Sequence, residues 1–242
     1  MSAIRIEGLT KRYGELVAVD ALSLDVKEGE LFSLLGVNGA GKTTTIKMLS
    51  CLTAASDGDA YMLGKSINRE ADEVKRLIAV SPQETAIAQG LSVKENLELM
   101  CGVYGFSREE GRKRIEYVVE RLGLSGVMDR RAGKLSGGWQ RRLSIAMALI
   151  SEPKILFLDE PTLGLDVIAR SELWDLIRSL KGRVTIILTT HYMEEAEALS
   201  DRIGIMKDGR LLVCDRAENI NRLAGCDSFE QAFIRIVKGV AE

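Results

Sequence analysis

The sequence predicts an α/β fold with a mainly parallel sheet covered on both faces, a small antiparallel β region and a helical insert. Three observations predict it. Continuous apolar runs at residues 31–35, 155–158 and 184–188 read as short strands buried on both sides. Helical periodicity with caps separates them. Strict alternation appears only near the amino terminus, where one face of a sheet meets water.

Taken in order, Ile4 and Ile6, then Val17, Val19, Leu22, Leu24 and Val26, give period-2 apolar patterns and predict paired strands. The run 31–35 predicts a buried strand that feeds a glycine-rich loop, and residues 43–52 predict a helix. Ser92 with Glu95, and Ser107 with Glu110, have the spacing of capping boxes. Ile115, Val118, Val119 and Leu122 recur at i, i+3, i+4, i+7, and Gly123 is placed to stop that helix. Leu143, Met147 and Ile150 continue a helical stripe up to Pro153. Leu173, Leu176, Ile177 and Leu180 mark another helix, and residues 193–199 a further one. Asp208-Gly209 between two apolar runs, 203–206 and 211–214, is a strong hairpin signal.

The 242 residues suit one domain, with 46% apolar and 28% charged residues and a net charge of −2. That charge provides no basic field for nucleic acid, so none is expected as a partner. Cys51, Cys101, Cys214 and Cys226 form no C-x-x-C pair, which argues against a zinc site or disulfide framework and for a reducing compartment. The amino terminus lacks an apolar signal core, and no stretch reaches the ~18 apolar residues of a membrane span. No internal repeat is visible.

The chemistry concentrates in a few motifs. Gly36-Val37-Asn38-Gly39-Ala40-Gly41-Lys42-Thr43 matches G-x-x-x-x-G-K-[ST] and lies between a predicted strand and helix, with Thr44 following. Such a loop turns backbone N–H groups onto phosphate oxygens at a helix amino terminus. Lys42 can reach the outer phosphates, and the Thr43 hydroxyl can ligate Mg²⁺. Asp159 and Glu160 end a buried apolar run; alone, that pair has a second reading as an acidic helix cap. His191, the single histidine, follows the predicted strand 184–188 and Thr189-Thr190. Leu135-Ser136-Gly137-Gly138-Trp139-Gln140 lies between loop and acids.

At these residues the chain resembles the ATP-binding cassette (ABC) family over nearly its whole length. The resemblance implies a P-loop NTPase core and a substrate of ATP with Mg²⁺. It implies Mg²⁺ ligands at Thr43, Gln83 and Asp159, water activation by Glu160, and γ-phosphate contact by His191. It also implies that Gln83 links the core to the helical segment and that Tyr13 stacks on adenine. Leu135, Ser136, Gly137 and Gly138 would act in trans, capping ATP held by a second copy or a related cassette. Asp166 would belong to the loop joining the two sites. Three positions depart from the family's usual residues: Trp139, Leu163 and Val167.

The resemblance further implies one cassette over 1–242. The β region and ATPase core would occupy about 1–85 and 153–220, the helical subdomain about 86–152, and a short helix about 221–242. The run 190–203 and the Ser-Gly-Gly element are similar to the drug-resistance and sodium-extrusion branch of ABC-2 exporters. The short carboxyl-terminal segment leaves no room for the extra β domain of many importers. The expected role is therefore an ATPase subunit at the cytoplasmic face of a membrane, bound to integral permease subunits through the surface at 84–104. A soluble or signalling cassette without a direct part in transport is the alternative.

Overall fold

The computed structural model describes residues 2–239. Strands β1 (Ser2–Tyr13) and β2 (Leu16–Lys27) pair antiparallel. Their register shifts near Leu9 and Leu22, where Ala21 is left-handed at φ 47°. This irregularity explains why the apolar alternation skips from Val19 to Leu22. Strand β3 (Leu31–Gly36) is buried at every position and runs into the glycine loop and helix α1 (Lys42–Leu49). The helix is shorter than the predicted 43–52, because Cys51 turns left-handed at φ 57°. Strands β4 (Asp57–Met62) and β5 (Lys65–Ser66) complete a four-stranded antiparallel sheet of order β2-β1-β4-β5.

Helix α2 (Ala71–Leu77) leads into β6 (Ile78–Ser81). Helices α3 (Val93–Val103) and α4 (Arg108–Arg121) both begin with complete capping boxes, on Ser92 and Ser107. Helix α5 (Gly137–Leu149) follows two short 3₁₀ turns. The remaining elements are β7 (Ile155–Asp159), α6 (Val167–Leu180), β8 (Thr185–Thr190), α7 (Met193–Leu199), β9 (Arg202–Lys207) and β10 (Arg210–Asp215). The last two are α8 (Ala217–Ala224) and α9 (Phe229–Lys238). The segment 221–242, expected as one short helix, thus contributes to two. Gly225 at φ 62° ends α8, and the Ser228 hydroxyl caps α9 by accepting from Gln231 N–H at 3.3 Å. Residues 240–242 lie outside the described residues.

The second sheet has the order β10-β9-β3-β8-β7-β6 and is parallel except at the β9–β10 hairpin. Its strands send alternate residues to opposite cores. Leu156 and Leu158 join a cluster with α3, α4, α5 and α6. Phe157 and Ile155 join a cluster with α1, α2 and the antiparallel sheet. The second face is therefore covered by strands as well as helices. Helix α5 is buried on all sides from Leu143 to Leu149, rather than along one stripe, because it lies against β6 and contacts α3, α4 and α6. Registers Leu35↔Thr190, Asp159↔Thr189 and Gly36↔Met206 bring the carboxyl ends of β3, β7, β8 and β9 together. In an open parallel sheet that edge is where a ligand crevice forms.

Candidate nucleotide-binding and catalytic site

The glycine loop wraps the amino terminus of α1 because its glycines fit where side chains would not. A Cβ on Gly36 would lie 2.5 Å from the Met206 carbonyl oxygen. Gly41 has φ 100°, and a Cβ there would lie 2.5 Å from the Ala18 carbonyl oxygen. Lys42, only 5% exposed, donates from Nζ to the carbonyls of Gly36 (2.8 Å) and Val37 (3.3 Å). The same nitrogen lies 3.4 Å from Glu160 Oε1.

Asp159 and Glu160 end β7 with different surroundings. Asp159 accepts from the Thr43 hydroxyl at 3.2 Å and from the Thr189 hydroxyl of β8. Glu160 is left-handed, at φ 49°, a conformation that costs a non-glycine residue about 1–3 kcal/mol. Its N–H is tied to Thr189 twice, to the carbonyl and to the hydroxyl, both at 3.1 Å. This turn aims the carboxylate at His191, whose Nδ1 lies 2.6 Å from Glu160 Oε2. With Glu160 ionised, Nδ1 carries the hydrogen of that bond. The Tyr192 ring packs against the imidazole at 4.1 Å between centroids.

A cleft of about 630 Å³ gathers these groups. Its walls include Asn38 to Thr44, Gln83, Glu160 and His191, with Tyr13, Leu16, Val17 and Ala18 at one end. Tyr13 is 48% exposed, and the Lys11 ammonium lies 5.0 Å from its ring centre. Gly36 and Asp159 are buried behind the wall, and Val37 is exposed outside it. A larger cavity of about 890 Å³ lies between α3 and α4, beside Cys101, Phe106 and Ile115, and none of the predicted catalytic residues lines it. We place the site by its chemistry, in the smaller cleft.

The Ser-Gly-Gly element stands elsewhere. Ser136 is exposed at the N-cap of α5, and its side chain makes no capping bond. Gly137 and Gly138 allow close packing there: added Cβ atoms would come within 3.4 Å of Leu165 and 3.1 Å of Ala169. Asp166 caps α6 by accepting from Ala169 N–H at 2.9 Å, so Ser136 and the Asp166 loop are neighbours. Leu135, expected among the trans contacts, is instead 6% exposed and packed in the helical core. An apolar side chain preceding an exposed N-cap anchors the helix start. Trp139 is half-buried with the Arg142 guanidinium 5.0 Å above its ring.

Sequence reasoning missed two buried charges beneath the site. Glu195 is fully buried on α7, accepts from Trp174 Nε1 at 3.1 Å, and has its carboxyl pushed up by burial. Arg141 is buried on α5, and burial lowers its guanidinium below the usual range. The signal for Glu195 was its spacing within the α7 apolar face; Arg141 stands beside Arg142, which hides it in a charged pair.

Comparison with known proteins agrees with this geometry. Residues 19–163, more than half the chain, match the family described as ABC transporter. The chain is 39% identical over 99% of its length, and 76% of the relative's, to the daunorubicin resistance ATP-binding protein DrrA2 of Streptomyces coeruleorubidus. It is 40% identical over 95% of its length, and 76% of the relative's, to the Nod factor export ATP-binding protein I of Burkholderia orbicola. A solved ATP-binding cassette in a dimeric post-hydrolysis state with ADP and phosphate superposes with TM-score 0.77 at 29% identity, covering 88% of this chain and 98% of that one. A cassette in its ADP conformation gives TM-score 0.85 at 26% identity, covering 97% and 99%. The chain accordingly belongs to the ABC transporter family, as one of its ATP-hydrolysing, ATP-binding subunits.

Proposed function

We propose that two copies of this cassette enclose ATP and Mg²⁺ between the cleft of one and the Ser136 end of the other, and that hydrolysis drives export through separate membrane subunits. The observation that carries this reading is the Glu160–His191 pair, 2.6 Å apart and facing the loop that holds Lys42. Phosphate oxygens reaching Lys42 compete with Glu160 for its ammonium. Glu160 is then released to accept a proton from water as the water oxygen bonds to the γ-phosphorus and the bridging oxygen leaves with ADP. His191 holds the carboxylate in place and faces the γ-phosphate. Tyr13, at the far end, is placed to stack on adenine.

Mg²⁺ suits the donors present. Thr43 and Asp159 offer hard oxygens 3.2 Å apart, and Gln83 adds an amide oxygen at the cleft wall. Among the described residues no group of three or more His, Cys, Asp or Glu could hold a metal by itself, which fits an ion completed by phosphates and water. When bound, Mg²⁺ neutralises charge on the phosphates.

The dimer face is supported by Val167 and Ile168, in the first turn of α6 near the Ser136 end of α5, both more than 70% exposed. The membrane contact is assigned to residues 84–104, where Leu99, Val103 and Tyr104 stand exposed. Among the described residues no helix is long and apolar enough to cross a membrane. In this reading the permease is a separate chain and the cassette binds it peripherally, on the cytoplasmic side. The export direction rests on relatives named for daunorubicin resistance and Nod factor export. Expression with and without candidate multi-span permease proteins tests this. Recovery in the membrane fraction only with those proteins is expected, with ATP hydrolysis that stops on chelation of Mg²⁺. A cassette that never joins the membrane fraction in their presence overturns the transport reading.

A further inference from the structure

Arg141 makes no ion pair within the described residues, although it is buried and charged. Its two terminal nitrogens instead donate to successive backbone carbonyls, Nη1 to Pro82 and Nη2 to Gln83, each at 2.6 Å. Pro82 follows the last residue of β6 and has no N–H, so it cannot donate to a ladder bond there. The planar fork of arginine satisfies the two carbonyls that follow the strand end and fixes the orientation of both peptides. Asp159 and Glu195 lie close enough to favour its charge, at longer range.

A second tie lies one turn along the same helix face. Ser144, three residues on, bonds Ser81 hydroxyl to hydroxyl at 3.0 Å, and both groups are buried. Residues 81–83 are thus clasped to α5 by Ser144 and Arg141. Gln83 itself is exposed and lines the cleft, with its backbone oxygen directed to Arg141. Helix α5 is the helix whose amino terminus carries Ser136.

We infer that Arg141 is the positioning residue for Gln83, and that it makes α5 the lever joining the Ser136 contact on one nucleotide to the Gln83 contact on the other. The inference rests on the proposed role of Gln83. Any shift of α5 when Ser136 engages a neighbour's phosphate moves the Gln83 peptide with it. A displacement of about 1 Å at a positioning group costs up to about 100-fold in rate. Lysine cannot replace the fork, because its single ammonium reaches one carbonyl well and leaves the other buried without a donor.

The test is a double-mutant cycle on steady-state ATP hydrolysis, using Gln83→Ala, Arg141→Met, Arg141→Lys and each combined with Gln83→Ala. Arg141→Met should lower kcat by at least about 10-fold with KM for ATP within about 2-fold, and Arg141→Lys should fall between it and the parent. In the Gln83→Ala background neither Arg141 change should lower kcat further, because its effect passes through Gln83. A merely structural arginine would give losses that multiply, and that result overturns the inference. So does parental kcat in both Arg141 variants. Parental kcat in Gln83→Ala alone would instead remove the proposed role of Gln83. Should Arg141→Met fail to fold, the Arg141→Lys half of the cycle gives the same decision.

Discussion

The cleft and the Ser136 end of α5 present phosphate-binding chemistry in opposite conditions. In the cleft the proposed catalytic groups have partners from their own chain: Lys42 has Glu160 and two carbonyls, Asp159 has two threonine hydroxyls, and Glu160 has His191. At Ser136 the hydroxyl caps nothing, the first-turn N–H groups of α5 face outward, and apolar Val167 and Ile168 stand exposed nearby. A helix start with free donors is suited to anions. In the proposed dimer the difference divides the work: one chain would carry the hydrolytic groups and its neighbour the Ser136 cap.

If that division holds, changes in the cleft should alter chemistry or affinity and leave the exposed end untouched. Glu160→Gln keeps the shape and removes the base, so turnover should fall by about 10²–10⁴-fold while nucleotide stays bound, measured by phosphate release and by filter binding. Parental turnover would place the base elsewhere. Lys42→Ala removes a charge-assisted contact of about 1.5–3 kcal/mol, so ATP affinity should fall by about 10–100-fold and hydrolysis become undetectable. Equilibrium binding of a fluorescent ATP analogue measures the first, and unchanged affinity would contradict the assignment.

Smaller effects sharpen the boundary. Tyr13→Ala should raise KM for ATP about 5-fold, the scale of one stacking contact, and leave kcat close to parental. A fall in kcat alone would tie Tyr13 to the chemistry. Glu195 gives the mildest change. Burial raises its folded pKa above the unfolded value near about 4.3, so the native state holds the proton longer as pH rises. Below the unfolded pKa both states are protonated and nothing is lost. As pH climbs from there towards the folded pKa, stability declines. Glu195→Gln should flatten that decline in thermal melts followed upward from the acid side. Parallel curves would mean that Glu195 does not titrate differently in the native state.

Much of this was legible in the sequence because the chemistry is local. The glycine loop, the acids after an apolar strand and the two capping boxes depend on near neighbours, and each is where it was expected. The convergence of Gln83 and His191 on the cleft came from resemblance, since the residues lie far apart in the chain. Properties set by tertiary packing were hidden. Leu135 reads as part of a surface motif, but the helical core takes its side chain. Arg141 stands beside Arg142 in a charged pair, and nothing in that pair shows that α5 buries it. Glu160 shows nothing in sequence of its left-handed backbone, which its N–H holds by donating to the carbonyl and hydroxyl of Thr189.

The central claim is that Ser136 completes a nucleotide site belonging to another copy. Molar mass by light scattering, with and without ATP and Mg²⁺, tests it most directly in the Glu160→Gln background, where nucleotide persists. Glu160→Gln should be monomeric alone and dimeric with ATP and Mg²⁺. Adding Ser136→Arg, which sets bulk and positive charge on the exposed helix start, should keep the protein monomeric although its cleft still binds ATP. A Glu160→Gln protein that stays monomeric at saturating ATP, or a Ser136→Arg double variant that still dimerises, would contradict the shared site.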